Sequence, residues 1–108
     1  MSDKPLAYLV MVTYDVWEKE RDRFLGLAER IKENALAVGA TGYQLLADDE
    51  QPCRFTEVMY FDSWSHYRRV QAEAPSREMQ AVYDELDECV IGGPGETQVR
   101  ALNLLVEA

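Results

Sequence analysis

The sequence predicts an α+β fold, with one four-stranded antiparallel sheet covered by helices on one face. Three observations carry that expectation. Short runs with a two-residue apolar period alternate with longer runs of three- and four-residue period; the second and third strand runs are separated only by a short polar stretch; and glycine or proline marks several of the breaks between runs.

Ala7 to Tyr14 reads as the first strand, being β-branched and aromatic and too short for a good helix. Tyr8, Val10, Val12 and Tyr14 share one face, and Leu9, Met11 and Thr13 the other, so both faces call for cover. From about Glu18 to Val38, Phe24, Leu27, Ala28, Ile31, Ala35 and Val38 recur at helical spacing between charged residues, and Gly39 is placed to stop the helix.

Gly42 to Ala47 is the second strand, and the polar Asp48 to Pro52 links it to a third from about Arg54 to Phe61, which implies an antiparallel hairpin. Its carboxylates read as a solvated tip, lacking the spacing of a calcium loop. The third strand passes straight into a helix start. Asp62 and Ser63 offer capping oxygens, and Trp64, Tyr67 and Val70 follow at three-residue steps. Ala74-Pro75-Ser76 breaks this helix. Arg77 to about Cys89 forms another, with Met79, Val82, Tyr83, Leu86 and Val90 on its apolar side. Gly92-Gly93-Pro94-Gly95 turns the chain without the lysine of a phosphate loop, and the last strand is expected from about Gln98 to Val106.

The resulting order is a ferredoxin-like βαββαβ sandwich, expected as one domain over residues 1–108. Helices can cover only one face of such a sheet, whereas the first and last strands are apolar on both. A second copy of the chain, face to face about a two-fold axis, is the expected cover.

Composition narrows the function classes. With 20 acidic and 11 basic residues the chain carries a formal charge of -9, which repels phosphate backbones and anionic lipid, so neither nucleic acid nor membrane is an expected partner. No apolar run reaches the ~20 residues of a membrane span, and MSDKP does not begin a signal peptide, so a cytoplasmic location is expected. Cys53 and Cys89 lack a CxxC partner and read as small buried hydrophobes. With a single histidine, no metal site is expected.

The block GATGYQLLADDEQPCRF, the strand after it, the serine-started helix and PSREMQAVYDEL together resemble the dimeric α/β barrel proteins of the antibiotic biosynthesis monooxygenase-like superfamily. That superfamily includes quinol monooxygenases, heme-degrading enzymes and stress-associated proteins. The resemblance implies a homodimeric barrel, a pocket between helices and sheet, and an oxidoreductase that needs no cofactor. By spacing from Ser63, Met59 stands where many members keep an acid near the end of the third strand, and Val70 where a histidine is frequent. Tyr83 falls at the place of the heme-ligating histidine of heme-degrading relatives, and the first strand has none of their asparagine. Tyrosine can ligate ferric heme, but a core tyrosine is the plainer reading, and no cofactor is expected.

The residues that would line such a pocket are Tyr14, Trp64, Tyr67 and Tyr83, whose rings suit a flat apolar ligand and whose phenols can orient an oxygen. Plain core packing at helical spacing is the simpler account of them. His66, Tyr67 and Tyr83 are the catalytic candidates, with His66 as base, although a helical wheel sets His66 about 160° from Trp64 and hence away from the expected buried face. Glu57 and Arg54 lie on opposite faces of the third strand. Either a solvated edge or a polar anchor in a pocket explains them, with Arg100 a candidate partner for one. Two functions fit: a cofactor-independent monooxygenase acting on a small aromatic or quinol-type substrate, and a non-enzymatic dimer that binds a small apolar ligand. A third, a pure interaction module, would require the space beneath the helices to be filled.

Overall fold

The computed structural model describes residues 5–93 and 97–108. Strand β1 (Ala7–Asp15) is followed by a 3-10 turn at Glu18–Glu20, helix α1 (Arg21–Ala37), strands β2 (Gly42–Ala47) and β3 (Arg54–Phe61), helices α2 (Trp64–Gln71) and α3 (Arg77–Cys89), and strand β4 (Gln98–Leu104). The order along the single antiparallel sheet is β2-β3-β1-β4, as the βαββαβ reading requires. Pro94 and Gly95 of the expected glycine-rich turn lie outside the described residues. β4 ends two residues before Val106, and Leu105 and Val106 are exposed.

Local chemistry sets the element ends. Gly39, at φ 119°, closes α1: its N–H donates to the Leu36 carbonyl while Ala40 N–H donates to Ala35, the paired bonds of a Schellman ending. Ser63 and Ser76 cap α2 and α3 by accepting the backbone N–H of His66 and Met79, at 3.1 and 3.2 Å. Between β2 and β3, Asp48 accepts from Glu50 N–H and Gln51 N–H, so the acidic tip is a side-chain-stabilised turn.

All helices lie on one face of the sheet. Val10, Val12 and Tyr14 of β1 and Phe55, Glu57 and Phe61 of β3 point into the layer between. From α1 come Phe24, Leu27, Ile31 and Ala35; from α3, Met79, Val82, Leu86 and the buried free thiol of Cys89. Cys53, in contrast to its expected burial, is only half-buried. Phe24 is the packing centre, stacked on Phe55 with ring centroids 4.8 Å apart and edge-on to Tyr14 at 5.6 Å. Arg23 ties α1 to α3 by bonding Glu85 and Glu88.

The opposite face carries no helix. There Leu9, Met11, Tyr60, Leu46 and Leu102 form a largely apolar surface around the already buried Val58, with Leu46 50% and Leu102 37% exposed. β4 is exposed even on its helix side, where Val99 stands 62% open. Val99 pairs with buried Val12, so the helix layer stops short of the β4 edge.

Removing the packing centre is expected to be costly. Phe24→Ala should lower the unfolding free energy by about 3–5 kcal/mol, measured by denaturant titration; a loss below about 1 kcal/mol would contradict the packing described.

Candidate functional site

β3 delivers one charged side chain to the inside. In a pleated strand alternate residues share a face, so Glu57 points the same way as Phe55, Met59 and Phe61. Its backbone pairs with Val12 on one side and Leu45 on the other, placing it in the middle of the sheet, 3% exposed. The carboxylate is held by two phenols. Tyr14 of β1 donates to Oε1 at 3.3 Å, and Tyr43 of β2 donates to Oε2. Among the described residues no lysine, arginine or histidine bridges to it.

Burial pushes the Glu57 carboxyl up from its ordinary 4.5, and the two phenol bonds only partly offset this. The same carboxylate and the same burial act on the tyrosines: Tyr14 and Tyr43 are raised far above 10, chiefly by desolvation and then by the Glu57 charge. Tyr83 and Tyr67 are raised by burial as well. All four therefore stay protonated donors at neutral pH.

Glu57 sits at the inner end of an open cavity of about 450 Å³. Its inner wall is Val12, Tyr14, Ile31, Ala35 and Phe61, all buried. Its mouth lies between the last turns of α1, at Asn34 and Val38, and the exposed α2–α3 connection from Gln71 to Ser76; Tyr67, Val70 and Tyr83 form the walls between. The volume falls within the roughly 300–1,000 Å³ of small-molecule sites. The space is thus not filled by side chains, as a pure interaction module would require.

Of the expected site residues, Tyr14, Tyr67 and Tyr83 line this cavity and Trp64 and His66 do not. Trp64 is 57% exposed, with the Arg68 guanidinium over its ring and a separate cleft of about 100 Å³ beside it. His66, expected to point outward, turns inward: it packs edge-on to Phe61, and a Cβ on Gly39 would come within 2.6 Å of its Nε2. The three-residue steps misled because each falls about 60° short of a full turn. Over two steps the stripe swings about 120°, so His66, Tyr67 and Val70 define the packed arc of this two-turn helix and Trp64 lies outside it.

Glu57 is the anchor in the pocket, not a solvated edge, and its partners are tyrosines rather than Arg100, which pairs with Met11 and so belongs to the other face. Arg54 is the solvated one, bonded to Asp15 opposite it at 2.8 Å. Tyr43 was missed by sequence reasoning. Its signal is a phenol two positions before Leu45, the cross-strand partner of Glu57, on the same face of β2. A shallower groove of about 630 Å³ near Cys53 has both its guanidinium groups engaged, Arg54 by Asp15 and Arg21 by the Pro52 carbonyl.

No family model matches the chain, and no curated protein does. Solved structures share its fold. A conserved protein from Methanosarcina mazei is 19% identical with a TM-score of 0.73, the match covering 92% of this chain and 93% of that one. An antibiotic biosynthesis monooxygenase is 12% identical over 88% and 95%, with a TM-score of 0.69. SnoaB, a cofactor-independent oxygenase from Streptomyces nogalater, is 10% identical over 90% and 91%, with a TM-score of 0.72. At these identities the likeness is one of fold. Among the described residues no helix is long and apolar enough to cross a membrane.

Titration of Glu57 should leave a mark on stability. A carboxyl whose folded pKa is raised favours folding below its unfolded pKa and loses that contribution as pH rises through the folded value. Wild-type stability minus that of Glu57→Gln should therefore fall as pH climbs above about 4.5, read by denaturant midpoints from pH 4 to 8. A flat difference would remove the desolvated carboxyl from the site.

Proposed function

We propose that this chain, which has the fold of the antibiotic biosynthesis monooxygenases, is a cofactor-independent monooxygenase for a small aromatic or quinol-type substrate, with Glu57 as its base. The observation that carries the reading is the carboxylate buried at the inner end of an aromatic-walled cavity. Such oxygenation begins with a substrate anion rich enough in electrons to reduce dioxygen, so the protein must take a proton and then hold the anion.

Glu57 suits the first task because burial raises its basicity toward neutral pH, where general bases work best. The Tyr14 bond, at 3.3 Å, is long enough for a substrate hydroxyl to replace it. Tyr67 and Tyr83, protonated and in the cavity wall, donate to the oxygen that gains charge. The anion passes one electron to dioxygen, the radical pair closes to a peroxide at a ring or benzylic carbon that bears hydrogen, and loss of water leaves a carbonyl where an anthrone methylene stood, or a hydroxyquinone where a hydroquinone ring C–H stood. One oxygen atom enters the product and the other leaves as water. The substrate supplies all four electrons. In this assignment Glu57 replaces His66 as base.

That both carboxylate oxygens already have phenol partners favours the second reading, a non-enzymatic dimer that holds a small apolar ligand in the same cavity. Oxygen uptake separates the two. Anthrone and hydroquinone substrates should be consumed with stoichiometric dioxygen, and Glu57→Gln should slow turnover about 10²–10⁴-fold while still binding. No uptake with any of them would sink the enzyme and leave the binding protein.

We also propose that the uncovered sheet face meets its copy in a second chain, since a contiguous apolar surface of this kind is unusual on a monomer. Leu46 and Leu102 are exposed in the protomer, so charging them leaves its core intact. In sedimentation at micromolar concentration the wild type should run as a dimer and the double variant Leu46→Glu, Leu102→Glu as a folded monomer; a wild-type monomer would refute the interface.

A further inference from the structure

The cavity has a charge character that narrows what it can take. Its described lining contains two carboxylates, Glu57 at the inner end and Glu73 at the mouth, and no lysine, arginine or histidine. No cation elsewhere in the described salt bridges compensates Glu57. The inner wall is apolar or phenolic, so an anion entering would leave water for a site that holds the ionised Glu57 and, among the described residues, no counter-ion, where low dielectric strengthens the repulsion.

The polar groups are also distributed unevenly. At the inner end the free capacity is acceptor capacity on Glu57, and its present donors are the protein's own phenols. At the mouth stand Asn34, Gln71 and Ser76, whose amides and hydroxyl can donate to a carbonyl or accept from a hydroxyl. A ligand that leads with a donor satisfies the inner end. A ligand that leads with a carboxylate, sulfonate or phosphate meets Glu57 head-on, and one that trails such a group meets Glu73.

Resting on the monooxygenase reading for the site's location but not for its chemistry, we propose that the cavity selects uncharged hydroxyaromatic ligands, binding them hydroxyl-first on Glu57 and rejecting their anionic derivatives. Substrates tethered to a phosphate carrier or bearing a free carboxylate are thereby outside its range, and the reaction class that supplies its substrate must deliver a neutral phenol or quinol. If the ligand arises from a carboxylated precursor, decarboxylation or amidation precedes this step.

Four redox-stable probes test this by calorimetry on the wild-type protein at pH 8: a naphthol, its methyl ether, and the same naphthol carrying on the far ring either a primary carboxamide or a carboxylate. The carboxamide and carboxylate are close in size and differ in charge. The naphthol and its carboxamide should bind with similar Kd, and the carboxylate and the methyl ether each at least about tenfold more weakly, the scale of one hydrogen bond to a charged group. In Glu57→Gln, checked for native circular dichroism, the gap between carboxamide and carboxylate should narrow. A carboxylate that binds as tightly as the carboxamide, a methyl ether that binds as tightly as the naphthol, or no binding by any probe overturns the inference. Because none of the probes is oxidised, the two proposals fail separately: selective binding without oxygen uptake on quinols removes the enzyme, and oxygen uptake with indiscriminate binding removes the charge selection.

Discussion

The register of β1 against β3 is the constraint on which the rest depends. Tyr8 opposes Phe61, Val10 Met59, Val12 Glu57 and Tyr14 Phe55, so one pairing sends the apolar half of each strand under the helices and carries Glu57 with it. Because side chains alternate faces, a one-residue slip would invert the whole set. A slip of β3 would turn Val58 toward the helices and put the carboxylate on the uncovered face, beside Met11 or Thr13. The Asp15–Arg54 ion pair holds one end of that register where solvent can reach it, and the short turn at Asp48–Gln51 fixes the neighbouring β2–β3 pairing. The buried carboxylate is therefore a consequence of the same pairing that builds the core.

Its cost is met locally. An unpaired buried charge is expensive, and here no cation shares the expense among the described residues; two phenols do. This solution differs from an ion pair in a way that matters for chemistry. A guanidinium would drop the carboxyl's pKa and leave a weak base, whereas neutral donors satisfy the lone pairs while burial keeps basicity high. The phenols are in turn driven up, chiefly by burial and then by the charge they bond, which keeps them donors. The arrangement stays polar and protonatable in an apolar wall.

Much of this was legible in the chain. Period-two runs, the polar hairpin and the capping residues Ser63, Ser76 and Gly39 are local signals, and the structure uses each as read. Tyr14, Tyr67 and Tyr83 were found because strand parity and α3 periodicity put them under the helices. α2 was harder. Two turns carry too little periodic information to fix a face, and Trp64 drew attention by size when the packing decision lay with Phe61 and the close approach at Gly39. The Tyr43–Glu57 bond is a cross-strand diagonal, set by a pairing between β2 and β3 that no single segment encodes.

Met59 shows what strand parity permits. The resemblance places an acid at that position in many members, where this chain has methionine. Glu57 precedes Met59 by two residues, which on a pleated strand is the same face about 6.6 Å further along. A carboxylate moved by that step remains inside the sheet-to-helix space but passes from the end of β3, beneath Phe61 and α2, to its middle, between Tyr14 and Tyr43. A move of one residue would have expelled it to the uncovered face. An acid can thus be absent from a position and present in the cavity, and the two-residue period is what separates those statements. The displacement also changes its neighbours: at the middle of the sheet both flanking strands reach it with phenols, so the chain acquires the buried, phenol-bonded carboxylate that gives the cavity its polarity.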